Sequence, residues 1–155
     1  MDYNPEIYQS IPHRPPFLWV DKIISLAPES IETEKFLSPD LDVFKGHYPD
    51  YPIMPGVLLC EAVFQSGALL MADNLKRMES SASQTGLMPV LTRIKGARFK
   101  REVKPGDTIR IQVKVDESVG HAWFFKGKVT VDDKTVLKVD FGCALVDSPS
   151  QESTT

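Results

Sequence analysis

Only two cysteines and three histidines occur in the 155 residues, and they form no metal-ligand cluster in the sequence. Cys60 and Cys143 have no metal-ligand neighbours at useful spacing. Both sit in apolar surroundings, where free cysteine behaves as a small hydrophobe. A reduced, cytoplasmic protein without a structural metal is expected. The start, Met1-Asp2-Tyr3-Asn4-Pro5-Glu6, lacks the basic region and apolar run of a signal peptide. Long hydrophobic runs are missing too: Val57 to Ala72 is interrupted by Glu61, Gln65 and Ser66 and is short for a membrane span. Excess charge of one sign is absent, and a net charge of −3 gives no global attraction to nucleic acid or an anionic membrane. There is no phosphate-cradling glycine loop and no serine-centred nucleophile motif. Nucleotide and metal chemistry are therefore not expected, and no cofactor is implied.

What is present fits one folded domain. An apolar fraction of 42% over this length is enough for a single sizeable core. Asn4-Pro5-Glu6 predicts a short helix over Pro5 to Ser10, with Asn as cap and Pro at the first helical position. Phe17 to Leu26 and Ile31 to Leu37 read as strands joined by a turn at Ala27-Pro28-Glu29-Ser30. Ser38 to Gly56 holds Pro39, Pro49, Pro52 and Pro55 and reads as a long loop, which in a compact domain is usually functional. A long helix, expected to be buried nearly all round, follows from Pro55 to Met78. Glu79 to Gly86 reads as a solvated connection. A strand from Leu87 to Lys100 should break near Lys95-Gly96. Ile109, Ile111, Val113 and Val115 then alternate with polar residues, as do Trp123, Phe125, Val129 and Val131. Leu137, Val139, Phe141, Cys143 and Leu145 repeat the pattern. Period two over three segments indicates an antiparallel sheet with one face on a core, with turns at Glu117-Ser118-Val119-Gly120 and Asp132-Asp133-Lys134.

The expected fold class is α+β: a curled antiparallel sheet of about six strands around one long helix. One sheet cannot cover all of that helix, so a dimer is expected. The domain should span residues 1–147, with a polar, disordered tail over 148–155.

The chemistry-bearing residues cluster between Phe44 and Ala62. Glu61 is a carboxyl among apolar neighbours and must be paired or protonated. It could serve as a general acid, or be a buried carboxylate held by a salt bridge or backbone donors. Gln65, one turn further on, could hydrogen-bond it. His47 stands between Gly46 and Pro49, a pinned position that suits a base and equally suits a turn. Gly56 lets the backbone approach a ligand, and its N–H at a helix start could stabilise an oxyanion, or the glycine could simply serve the loop-to-helix transition. His13 reads as structural and His121 as exposed. Arg93, Lys95, Arg98, Lys100, Arg101 and Lys104 form a basic stretch, either a solvated strand face or a docking patch for an acidic partner.

Four blocks occur in order: His13-Arg14-Pro15-Pro16-Phe17-Leu18-Trp19-Val20-Asp21; Gly46-His47-Tyr48-Pro49 through Pro55-Gly56-Val57-Leu58; Glu61-Ala62 with Gln65; and Arg98-Phe99-Lys100 through Pro105-Gly106-Asp107. Together, from about Ile7 to Val146, they resemble the 3-hydroxyacyl-acyl carrier protein dehydratases of bacterial type II fatty-acid synthesis. The resemblance implies a hot-dog fold, dimers commonly assembled as trimers of dimers, and acyl carrier protein as the partner bearing the substrate. It implies that His47 and Glu61 are catalytic, contributed by different subunits, and that the Gly56 N–H holds the thioester carbonyl. Val57, Phe64, Gln65 and Ala68 would contact the acyl chain, and the basic stretch would dock the carrier. No cofactor, metal, nucleic acid or membrane is required.

The sequence departs from the family pattern at Asp50, where glycine is usual and a left-handed backbone would be strained. Tyr48 replaces Phe, Tyr51 adds bulk, and Glu102 stands where proline is frequent. Alternatives are a hot-dog acyl thioesterase, a non-catalytic carrier-binding subunit, and a dehydratase with isomerase activity.

Overall fold

A computed structural model describes residues 4–79 and 86–149. The chain order is α1 (Pro5–Ser10), β1 (Lys22–Ala27), β2 (Ser30–Phe36), α2 (Val43–Gly46), α3 (Gly56–Glu79), β3 (Leu87–Phe99), β4 (Thr108–Val119), β5 (Ala122–Val131) and β6 (Lys134–Asp147). One six-stranded sheet runs β1-β2-β4-β5-β6-β3. Every neighbouring pair is antiparallel. Helix α3 packs on the inner face of the sheet, against residues from β2 to β6. The connection after Glu79 and most of the tail predicted from Ser148 lie outside the described residues.

Local chemistry accounts for the element boundaries. The Asn4 side chain accepts the Glu6 N–H at 3.1 Å and Pro5 opens α1, as the sequence predicts. Strand β1 begins five residues later than expected, at Lys22 rather than Phe17. The reason is that the preceding backbone is spent elsewhere. The Phe17 N–H closes a turn on the Arg14 carbonyl, and the Trp19 N–H donates to the Gln65 side chain of α3. The predicted loop contains one short helix, α2, whose Asp42 cap accepts no backbone N–H and instead takes a bond from Lys45 Nζ at 2.6 Å. The break expected near Lys95-Gly96 is a register shift between Ile94 and Gly96. The turn placed at Glu117 to Gly120 moves onward: a shift after Val115 lets Glu117, Ser118 and Val119 pair with Phe124, Trp123 and Ala122. The next turn is where it was expected, with Asp132 and Asp133 both at positive φ, 47° and 61°, as a two-residue hairpin demands.

The alternating residues meet in the core. Ile109, Ile111 and Val113 of β4, Phe125 and Val129 of β5, and Leu137, Val139 and Phe141 of β6 are all buried against α3. Helix and sheet approach closely because glycines face each other's partners. A Cβ at Gly127 would lie 2.3 Å from Val63, and one at Gly67 would lie 2.8 Å from the Phe141 ring. Burial pushes the Cys60 thiol up and the Cys143 thiol up to about 12.

Helix α3 is buried over most of its surface, and one sheet leaves part of it uncovered, as expected. Val57, Glu61, Phe64 and Ala68 remain partly or fully exposed, while Leu59, Cys60, Ala62, Val63, Gln65, Ser66 and Gly67 are buried. Those four positions are spaced i, i+4, i+7 and i+11, so they form one stripe along the helix. A single sheet wraps the helix on its other sides only. Gly56–Met78 is long and apolar enough to cross a membrane, but two thirds of its most apolar window (67%) is buried inside the protein. That is the pattern of a core helix.

Candidate active site

His47 sits just after α2, in the loop that leads to α3. Its Nδ1 lies 2.8 Å from the Ile53 carbonyl, and the Ile53 N–H returns to the His47 carbonyl at 2.9 Å. A carbonyl can only accept, so Nδ1 carries the proton and Nε2 keeps a free lone pair. The Tyr48 ring stacks on the imidazole at 4.3 Å. Met54 N–H donates to Val103 at 2.7 Å and ties the loop to the β3–β4 connection. His47 shares a depression of about 540 Å³ with Met54, Gly56, Val57, Phe99, Lys100, Arg101 and Glu102. Gly56, the first residue of α3, has an N–H with no intrahelical partner. A Cβ there would lie 2.6 Å from the Phe99 ring, so glycine allows that aromatic cover.

Glu61 lies further along α3 and is held from another direction. Gln65 Nε2 donates to Glu61 Oε1 at 3.0 Å and to the Phe17 carbonyl at 2.8 Å. Gln65 Oε1 accepts the Trp19 N–H at 2.8 Å. Both amide protons of this buried side chain are therefore used within the protein. His13 Nε2 is 3.5 Å from the same Glu61 oxygen. Reading His13 as merely structural missed this contact, because residues so distant in sequence give no local signal. No hydrogen bond or ion pair joins His47 to Glu61 within the protomer, among the described residues.

The other predicted site residues divide. Val57 is 73% exposed beside His47, whereas Phe64 packs edge-on against Phe141 at 5.0 Å. Ala68 continues the stripe of Glu61. The basic stretch is not one patch. Lys100 and Arg101 line the His47 depression. Lys95 and Arg98 face the outside of the sheet in a hollow of about 680 Å³, with Lys114, Lys126, Lys128, Lys138 and Asp140. There Lys114 stands opposite Lys126, and Lys138 lies between Lys128 and Arg98. Like charges directly opposite oppose sheet pairing. At the β1 end the cations are matched instead: Lys22, and then Arg110, hold the Glu34 carboxyl below the usual carboxylate range. Lys104 extends over the Tyr51 ring at 5.7 Å. Arg93 stands on β3, opposite Gly142.

The departures at Tyr51 and Glu102 belong together. The Tyr51 hydroxyl donates to Glu102 Oε2 at 2.5 Å, across the rim of the His47 depression. Asp50 raises no strain, because among the described non-glycine residues only Asp132 and Asp133 have positive φ.

Three comparisons bear on this site. The family model of the FabA-like domain matches residues 11–140. A 3-hydroxyacyl-acyl-carrier-protein dehydratase FabZ from a Caulobacter species is 39% identical over 145 residues, covering 93% of this chain and 86% of that protein. A FabZ dehydratase from Campylobacter lari is 36% identical, covering 92% and 96%. Among solved structures, the dehydratase heterocomplex ApeI:P from Xenorhabdus doucetiae superposes with a TM-score of 0.73 at 15% identity, over 94% of this chain and 93% of that one. A hypothetical thioesterase with coenzyme A from Streptococcus pneumoniae gives 0.64 at 12% identity, over 82% and 86%. These two share the hot-dog fold with this chain and, at such identities, carry nothing about its chemistry.

Proposed function

The chain belongs to the FabA-like family, and we propose from this that it removes water from 3-hydroxyacyl chains carried on acyl carrier protein. It is a hydro-lyase of fatty-acid or related acyl biosynthesis, working in the cytoplasm. The observation that carries the assignment of roles is the His47 ring, whose Nδ1–H is spent on Ile53 and whose Nε2 is left as a base.

Nε2 takes the proton from the carbon between thioester and carbinol. The electron pair left behind forms the new double bond, and the 3-hydroxyl departs as water with a proton from Glu61. The Gly56 N–H, at the start of α3, stabilises the charge that grows on the thioester oxygen. The product is a trans-2-enoyl thioester.

A second copy of the chain completes the site. Strand β3 has a partner on one side only and exposes Val90, Leu91, Ile94 and Phe99, a long apolar edge that a soluble chain must cover. The stripe Val57, Glu61, Phe64 and Ala68 also lacks cover. Pairing two chains there buries both and brings the His47 of one subunit to the Glu61 of the other, with Val57, Phe64 and Ala68 along the acyl chain. Gln65 supports Glu61 from behind. The dimers assemble further as trimers, and the basic residues around Lys100 and Arg98 receive the acidic carrier.

The test is mass spectrometry of a short 3-hydroxyacyl chain on acyl carrier protein, with wild type beside His47→Ala and Glu61→Gln. Loss of one water with wild type alone is expected. Release of free acid by wild type would make the protein a thioesterase, and an unchanged chain would leave a carrier-binding subunit.

A further inference from the structure

We infer that His13 is a positioning residue for Glu61: its imidazole and the Gln65 amide converge on one carboxyl oxygen and leave the other to serve the substrate. The inference rests on the dehydratase reading, and it concerns a residue that reading does not use.

The geometry is asymmetric about the carboxyl group. Oε1 accepts from Gln65 Nε2 at 3.0 Å and faces His13 Nε2 at 3.5 Å. Oε2 has no protein partner among the described residues. A contact of 3.5 Å is longer than a good hydrogen bond, and such bonds commonly tighten once substrate is in place. The tautomer follows from the other ring nitrogen. His13 Nδ1 is buried and has no hydrogen-bond partner. A proton there would be an orphaned buried donor, with a lone pair turned toward the carboxyl oxygen. The Nε2–H tautomer avoids both penalties, at the smaller cost of an unpaired acceptor at Nδ1, and sets an N–H nitrogen 3.5 Å from Oε1.

The ring is held from its own backbone. Arg14 Nη1 donates to the carbonyls of Ile11 at 2.8 Å and His13 at 2.7 Å, and Nη2 donates to Tyr8 at 2.9 Å. The guanidinium also lies 4.6 Å from the Tyr8 ring centroid. His13 thus stands on a clamped turn, partly exposed, beside Glu61.

The consequence lies in the proton transfer. Oε1 accepts from Gln65 and faces His13, so the acidic proton resides on Oε2, the oxygen without a protein partner among the described residues. When that proton passes to the leaving hydroxyl, negative charge appears on the carboxylate. The two N–H groups on Oε1 stabilise that charge more than the neutral acid, which is differential stabilisation of the transition state.

The test separates position from structure by choice of side chain and of leaving group. Gln places an amide N–H near the former Nε2, whereas Asn reaches only to the position of Nδ1. On carrier-bound 3-hydroxybutyryl chains, His13→Leu and His13→Asn should lower kcat about 30-fold with KM within about twofold, and His13→Gln should restore most of it. A 3-chlorobutyryl thioester supplies the second readout, because chloride leaves with its bonding pair and needs no proton. With it, the His13 variants should match wild type, and Glu61→Gln measures how far the probe depends on the acid. Should folded His13→Leu and His13→Asn keep wild-type kcat, or lose both substrates equally, the positioning role is wrong. If His13→Leu does not fold, the contrast between Gln and Asn decides alone. Failure of wild type to dehydrate the hydroxy substrate would instead remove the dehydratase reading itself.

Discussion

The Glu61 side of the site is tied into a hydrogen-bond network within one protomer, and the His47 side is open. Around Glu61, the Gln65 amide, the Trp19 N–H, the Phe17 carbonyl and the His13 ring form one network, and Gln65 at its centre is 1% exposed. Around His47, one hydrogen bond fixes the tautomer, and the ring looks into a depression whose wall includes the half-exposed Phe99 and the exposed Val57. The difference is one of function as much as of packing. In the proposed roles, an acid that must hold its proton in a set direction benefits from a prebuilt cradle. A base that must meet a long flexible substrate needs room, and in the proposed dimer a second chain would supply the remaining wall.

The largest test of this division is complementation. His47→Ala and Glu61→Gln should each reduce turnover at least about 10²-fold. Mixed and allowed to exchange subunits, they should regain about a quarter of wild-type activity, because half of the random dimers carry one intact site. A site complete within each protomer would give no recovery. Next in size is Gln65→Leu, which orphans the Trp19 N–H and the Phe17 carbonyl. A loss of about 1–3 kcal/mol in urea unfolding is expected, whereas Val57→Ala on the open side should change stability by less than about 0.5 kcal/mol. Equal losses would erase the contrast between the two sides.

The basic residues sharpen it further. Lys100→Glu, in the open depression, and Arg98→Glu, on the outer sheet face, should each weaken carrier binding by up to about tenfold at low salt, and added salt should shrink both effects. Titration calorimetry on each variant shows which patch the carrier uses more. The smallest effect concerns Tyr51, whose hydrogen bond to Glu102 pushes its hydroxyl above the usual tyrosine range. Its folded value is raised, so the contribution of this bond to stability is whole below the ordinary tyrosine pKa and disappears as pH rises through the folded one. Glu102→Gln should move the tyrosinate absorbance step to lower pH. An unmoved step would show that the bond does not persist in solution.

Much of this organisation was legible in the residues. Period-two alternation placed Ile109 to Val113 and Leu137 to Leu145 in the core, and the apolar run with one acid located α3 and Glu61. Where the reading failed, the cause was a contact between distant segments. Strand β1 was drawn too long because nothing in Phe17 to Val20 announces that the Trp19 N–H will serve Gln65. That one sheet leaves part of α3 uncovered follows from the sequence, but which residues form the stripe does not, because hydropathy cannot tell an apolar surface that meets its own sheet from one left outside it. The basic run split because β3 ends at Phe99: Lys95 and Arg98 lie on the strand over the outer sheet face, and Lys100 and Arg101 lie beyond it, beside the His47 loop. The lysines of β4, β5 and β6 joined Lys95 and Arg98 only once strand register was known.

The bond between Tyr51 and Glu102 also has a historical reading. It joins a loop position to a residue beyond β3, and each side chain supplies the other's hydrogen-bond partner. A lineage that exchanges Glu102 for proline loses the acceptor, and the tyrosine then keeps only the Lys104 contact over its ring. Selection should therefore treat the two as one character, gained and lost together. Sequences carrying either residue alone should be rare among descendants of the ancestor that first paired them.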